Sequence, residues 1–308
     1  MSTPDKRFNG LSISTGAVRY SYLGYLLLTQ DDLVVEGVPH SMLFTLNRGN
    51  WGAQNLQWMA CSGSVIHVPN ERFLALGEEG FVWAIGGGES KEEDPVGDGE
   101  LSPETRGPLR EIRGICRGKA YAVGTCRQAY VRDESNVWRC IDQTAQTAVA
   151  DITNTSFESI DGFSEQEIYT VGWEGEIWQY DGTRFVQIES PTNLALYKVR
   201  CGADGYVYAC GQLGILLRGR GNKWEVIDHE STVEDLWGME YFNEKLYVSS
   251  THFVYALENG KLERVDFGED IPGTCYHLSA ADGIMWSIGA KDVMEFNGEA
   301  WKRILEID

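Results

Sequence analysis

Two carboxylates facing each other across a funnel can serve as the acid and base of glycoside hydrolysis, and this chain has 46 acidic residues from which to draw such a pair. Abundance does not place a pair, and no spacing in the sequence singles two of them out. Five histidines (His40, His67, His229, His252, His277) lie far apart, with neither an HExxH run nor a paired spacing. No metal centre is therefore expected, and each histidine reads as structural or solvated. The sequence has no GxSxG elbow, no Walker loop and no dinucleotide fingerprint, and its glycine pairs need only turns to explain them. These residues point away from catalysis and bound cofactors and toward recognition. The alternative to keep is an enzyme or carbohydrate-binding funnel, which would need aromatic platforms and a convergent acid pair.

Charge narrows what could be recognised. Against 46 acidic residues stand 26 basic ones, a formal charge of −20. Nucleic acids and anionic membrane surfaces are polyanions and are disfavoured as partners, whereas a basic protein would be attracted. The same charge would also serve solubility alone. The opening stretch MSTPDKRFNGLSISTG has no apolar core of the secretory kind, and no apolar run is long enough to span a bilayer, so a cytoplasmic protein is expected. Seven cysteines make an odd number without a CxxC pair, which suits free thiols in a reducing compartment.

The elements that must carry a recognition surface repeat. Gly172, Gly211, Ser250 and Gly289 stand 39 residues apart, with Gly124 and Gly77 upstream at intervals of 48 and 47. A fixed period of this size marks an array of one supersecondary unit. Seven copies can be overlaid: Ser14–Asp32, Ser62–Gly80, Leu109–Arg127, Phe157–Gly175, Leu196–Gly214, Asp235–Phe253 and Thr274–Asp292. Each runs from an apolar strand through a tight turn to a second strand. Later turns carry Asp181-Gly182, Asn259-Gly260 or Asn297-Gly298, which are hairpin signals because both central residues need positive φ. Each unit is thus a four-stranded antiparallel meander, with strands A to D. The second strands read IYTV, VYAC, LYVS and MWSI, without polar alternation, as expected of a sheet covered on both faces. Radial stacking in a β-propeller does this. The expectation is all-β: one β-propeller over residues 1–308, most simply seven-bladed, with six blades and an irregular N-terminal extension as the alternative. Trp138, Trp224 and Trp301 should pack between blades from strand D.

In IYTVGWEGEIWQYDGTRF and MWSIGAKDVMEFNGEAW the chain resembles the bacterial β-propeller superfamily with WD40-like and Ycf48-like folds, over roughly residues 14–308. It lacks the Gly-His to Trp-Asp pairing of true WD40 repeats and the double-glycine kelch signature. The resemblance implies a fold rather than an activity.

In such a fold the B–C turns and D–A connections emerge together. Here they present Glu78, Glu79, Trp173, Glu174, Asp228, Glu230, Glu234, Asp235, Glu269 and Asp270, an acidic surface with an aromatic at a turn apex. Trp173 is a candidate anchor, or else its ring folds back on a neighbouring blade. The stretch 86–107 holds seven acids and few apolar residues and reads as a flexible acidic excursion. An intracellular, acidic, non-catalytic propeller suits an immunity protein that occludes a toxin. Nuclease toxins are basic because they bind phosphate, so acidic loops could enter that groove by charge mimicry. An assembly factor of the Ycf48-like kind is a further alternative. The protein is expected to be a monomer before it meets its partner.

Overall fold

A computed structural model describes residues 6–146 and 155–307. These form seven four-stranded antiparallel sheets, each from strands consecutive in sequence. Two compact units hold them, Met1–Ala60 with Trp237–Asp308, and Cys61–Leu236.

The first unit carries three blades. In order A to D, blade 1 is Leu11–Tyr20, Leu23–Gln30, Ser41–Asn47 and Asn50–Leu56. Blade 6 is Gly238–Phe242, Lys245–Ser249, Val254–Glu258 and Lys261–Arg264. Blade 7 is His277–Ala281, Ile284–Ile288, Asp292–Phe296 and Trp301–Glu306. The N-terminal residues thus form a complete blade, which removes the six-bladed alternative. Blades 7 and 1 share one core, in which Ile284, Trp286 and Ile288 meet Leu26, Leu28 and Phe44.

The second unit carries four blades. Blade 2 is Ala60–Ile66, Arg72–Gly77, Val82–Gly86 and Glu89–Glu93, and blade 3 is Leu109–Gly114, Ala120–Gly124, Ala129–Arg132 and Trp138–Cys140. Blade 4 is Phe157–Ser164, Glu167–Gly172, Ile177–Tyr180 and Phe185–Ile188, and blade 5 is Leu196–Cys201, Val207–Gly211, Leu216–Arg220 and Lys223–Val226. Each apolar cluster joins successive blades, as where Tyr169 and Val171 of blade 4 meet Val199 and Val207 of blade 5. Strand B therefore loses its alternation: Val207–Gly211 and Ile284–Ile288 are buried throughout. The three strand-D tryptophans sit where expected. Trp138 joins the core shared by blades 2 and 3, Trp224 meets Tyr169 edge-on with ring centroids 6.0 Å apart, and Trp301 packs on Phe267 at 4.6 Å.

The glycine period has a steric cause. A β-carbon at Gly172 would lie 1.7 Å from the Ser156 carbonyl oxygen, at Gly211 2.0 Å from that of Ala195, and at Gly289 2.2 Å from that of Thr274. The end of strand B passes so close to the start of strand A that no side chain fits, and the same approach recurs at Gly124 of blade 3, 2.5 Å from the Pro108 carbonyl oxygen, whereas blade 6 carries Ser250 at this position.

Within each unit, side chains on strand A stitch several blades to the next. Ser62 Oγ accepts the Ile112 N–H at 3.2 Å and Ser64 Oγ the Gly114 N–H at 3.1 Å. One blade further on, Glu111 accepts the Ile160 N–H at 2.8 Å, then Ser159 Oγ the Val199 N–H at 3.1 Å and Asp161 the Cys201 N–H at 2.9 Å. Ser279 Oγ does the same for the Val18 N–H at 3.0 Å in the other unit. Glu111 is the most heavily used of these groups, since Lys198 and Arg200 also donate to it, at 2.9 and 3.1 Å. Burial alone would raise its pKa, but the Lys198 and Arg200 charges and the Ser159 hydroxyl outweigh burial and hold the carboxyl well below the usual range.

The acidic stretch 86–107 needs a correction. It is not an excursion from the blade along its length, because Glu89–Glu93 form strand D of blade 2. The rest folds back over the B–C turn of the same blade. The Val96 N–H donates to the Gly80 carbonyl at 2.8 Å, Pro103 is buried, and the Arg106 guanidinium bonds Asp142 at 2.8 Å. Charge density hid the few anchoring residues, Val96 and Pro103, that hold the segment down.

Candidate partner-binding surface

Blades 4 and 5 show how the loops of the Cys61–Leu236 unit are built. Each B–C turn is a single tight turn, Trp173–Gly175 in blade 4 and Gln212–Gly214 in blade 5. Its closing glycine has φ 73 or 75°, and the middle residue is also left-handed, Glu174 at 56° and Leu213 at 54°. A residue with a β-carbon is strained there by roughly 1–2 kcal/mol, a position that glycine or asparagine would fill without that penalty. Glu230, in the connection leaving blade 5, is a third such residue at 51°. All three are exposed, so folding gains nothing from their side chains. Left-handed non-glycine residues also occur in other turns, among them Arg117, Asn243 and Asp282.

The connections are braced against these turns. In blade 5 the Leu213 N–H donates to Asp235 Oδ1 at 2.8 Å, and the Gly214 carbonyl accepts from His229 Nε2 at 2.7 Å. His229 Nδ1 accepts the Ser231 N–H at 3.1 Å, which fixes the tautomer, and Thr232 Oγ1 accepts the Glu234 N–H at 3.0 Å. Blade 4 repeats the scheme, with Thr192 Oγ1 accepting the Leu194 N–H at 3.1 Å and the Gly175 β position 2.2 Å from the Thr192 carbonyl. Loops held this way lose little freedom when a partner docks.

The residues singled out in the sequence distribute as follows. Glu79, Glu174, Asp228 and Glu230 are exposed, while Glu78, Glu234 and Asp235 are partly buried. Trp173 is partly buried too, on a turn that packs against strand A of blade 5. Beside it lies a shallow cleft of about 330 Å³ whose lining includes Glu174, Glu176 and Glu189. Arg127, on the equivalent turn of blade 3, adds no free positive charge here because Glu176 binds it, with a 2.7 Å contact from Nε. The folded-back segment of blade 2 brings exposed Asp98, Glu100 and Glu104 to its B–C turn. In the other unit Glu269 and Asp270 are exposed, and Asp270 accepts from Arg303 Nε at 2.8 Å.

The sequence places Leu213 on a B–C turn but does not mark it, or Val233, as a binding residue. Leu213 is 59% exposed and Val233 79%, and the Gly214 β position lies 3.4 Å from the Val233 backbone. They form an apolar knob flanked by Glu230, Glu234 and Asp235. The connection leaving blade 6 has the same composition, with Ile271 70% exposed after Glu269 and Asp270. An aliphatic residue at a turn position whose neighbours are all polar was the available signal. Exposed apolar residues rimmed by charge are what protein-binding surfaces look like.

Among the described residues no group of three or more His, Cys, Asp or Glu is placed to hold a metal, and no helix is long and apolar enough to cross a membrane.

No family model matches the chain. Among solved structures it is similar to YCF48 bound to D1 peptide, with TM-score 0.67 and 13% identity over 93% of this chain and 91% of that one. It is also similar to the WD40 β-propeller domain of Doa1, with TM-score 0.64 and 13% identity over 96% of each. Likeness at that identity establishes the fold, a seven-bladed β-propeller. In sequence the chain is 45% identical over 295 residues to the immune protein Tsi7 of Pseudomonas aeruginosa, covering 94% of this chain and 96% of that protein. Identity of that extent, spanning all seven blades, means that the chain belongs to the family of the immune protein Tsi7.

Proposed function

We propose that this immunity propeller works without catalysis, by binding a basic toxin such as a nuclease effector and covering its working groove. The observation that carries the reading is the pair of exposed residues Leu213 and Val233, held on braced loops and flanked by Glu230, Glu234 and Asp235. Apolar contact at the centre would set how long the complex lasts, and the acidic rim would draw a basic partner in. The protein acts in the cytoplasm, as a monomer until its partner arrives; its seven free cysteines suit a reducing compartment.

The test is protection. Cells producing a toxin captured by pull-down with this chain should grow when the wild-type protein is co-produced. They should fail with a Leu213→Asp/Val233→Asp variant that is folded and equally abundant. Protection by that variant would show that the surface is wrong. Turnover of a substrate by the purified chain would show that it is an enzyme after all.

A further inference from the structure

Blades 6 and 7 hold a feature unrelated to the loops. A groove of about 570 Å³ runs along their outer strands, a size common for small-ligand sites. Its floor is aromatic. Trp301 stacks on Phe296 with ring centroids 4.8 Å apart and planes 18° from parallel, Phe267 meets Trp301 at 4.6 Å, and Tyr247 meets Phe296 at 6.2 Å. Phe267, Phe296 and Trp301 remain only partly buried and so present ring surface to the groove.

The rim is acidic and its cations are already engaged. Lys245 pairs with Glu258, and Arg264 lies over the Phe253 ring at 3.4 Å. Among the described residues no cation pairs with Glu263, Asp266 or Glu299, which also line the groove. Aromatic faces carry negative potential, and three uncompensated carboxylates beside them deepen it. A neutral or anionic ligand would find no complement. The protein uses guanidinium-on-ring packing elsewhere, with Arg220 over Phe163 at 4.3 Å and Arg218 over Tyr206 at 4.9 Å.

We propose that this groove binds an arginine side chain presented by a basic partner chain, its guanidinium against the solvent-reaching part of the Phe267–Phe296–Trp301 cluster and its charge facing Glu263, Asp266 and Glu299. Arginine rather than lysine fits because a planar, weakly hydrated cation stacks where a compact ammonium stays hydrated. The site is built from blades 6 and 7 alone and does not rest on the toxin reading.

The experiment uses the full chain labelled with 5-fluorotryptophan, the Trp301 resonance assigned from Trp301→Phe, and an arginine hexapeptide titrated at low salt. The Trp301 resonance should shift, and Glu263→Gln/Asp266→Asn/Glu299→Gln should weaken binding by about tenfold or more. A control variant with three exposed acids changed elsewhere (Asp98→Asn/Glu100→Gln/Glu104→Gln) should bind within about twofold of wild type, since its net charge is the same. Equal weakening by both triple variants would mean diffuse attraction and overturn the proposal. So would binding that leaves the Trp301 resonance unmoved, or a lysine hexapeptide that binds as tightly as the arginine one.

Discussion

Asp235 Oδ1 accepts the backbone N–H of Leu213 at 2.8 Å, so an acid of the connection leaving blade 5 holds the turn that carries the exposed leucine. The carboxylate therefore braces one residue and, in the proposed reading, also supplies charge toward the partner, and two substitutions separate the roles. Asp235→Asn keeps an acceptor and removes the charge; it should slow toxin association and leave dissociation nearly unchanged. Asp235→Ala removes both, frees the turn, and should add a several-fold faster dissociation. Surface plasmon resonance on the pair decides: identical kinetics for the two variants would mean that the brace does not matter.

Leu213 is left-handed at φ 54° and 59% exposed. Asparagine tolerates this backbone better, and little packing is lost with the leucine. Leu213→Asn should raise stability by about 1 kcal/mol, read as a higher melting temperature, while weakening toxin binding by about tenfold or more. Stability and affinity moving in opposite directions is the mark of a residue kept for its partner. A lower melting temperature with unchanged affinity would make Leu213 part of the fold.

The architecture was legible because steric need recurs with the blade. Gly172, Gly211 and Gly289 sit where strand B crosses close to strand A, so their 39-residue spacing records the blade itself. Trp138, Trp224 and Trp301 were legible for the same reason, one large ring filling each gap between outer strands. The surface was harder to read. Leu213 and Val233 are single residues in polar loops, and nothing in the sequence says that their loops are braced or that φ at Leu213 is positive. Glu111 looked like any other acid, because its partners Lys198 and Arg200 lie 87 and 89 residues away. In the 86–107 stretch, composition argued for freedom while Val96 and Pro103 supplied anchorage.

Glu111 sets a pH dependence. Its folded pKa lies well below the ordinary value of 4.5, so the unfolded chain takes up a proton at a higher pH than the native one. The stabilisation is complete above that unfolded value and is lost as pH falls through the folded pKa. Acid unfolding of the wild type should therefore steepen below about pH 4.5. Glu111→Gln would remove the counter-charge that Glu111 offers to partly buried Lys198 and buried Arg200 and should cost about 3–5 kcal/mol at pH 7. That difference should shrink on acidification. A constant gap between the two proteins from pH 7 to pH 3 would mean that the carboxylate is not ionised in the fold.

Attraction and anchoring can be separated by substitution. Glu79, Glu174, Asp228 and Glu230 are exposed and have no ion pair among the described residues, so their charge reaches solvent. Asp270 is excluded from the set because its loss would also strip Arg303 of a partner. Changing the four to Gln or Asn should lower the association rate with a basic toxin by about tenfold at low salt and flatten its salt dependence, with dissociation little changed. Trp173 should behave differently from both the acids and Leu213. It is partly buried on a turn that packs against strand A of blade 5, so Trp173→Ala removes apolar contact within the unit, and a loss of about 1–3 kcal/mol of stability is expected. Any effect on binding should then follow from a loosened turn, as a faster dissociation smaller than that of Leu213→Asn. Melting temperature and both rate constants for the three proteins complete the test. If Trp173→Ala melts like wild type yet dissociates fastest of all, the anchor is Trp173 and the Leu213–Val233 knob is secondary. If the four-acid variant associates at the wild-type rate, the toxin is not drawn in by this surface.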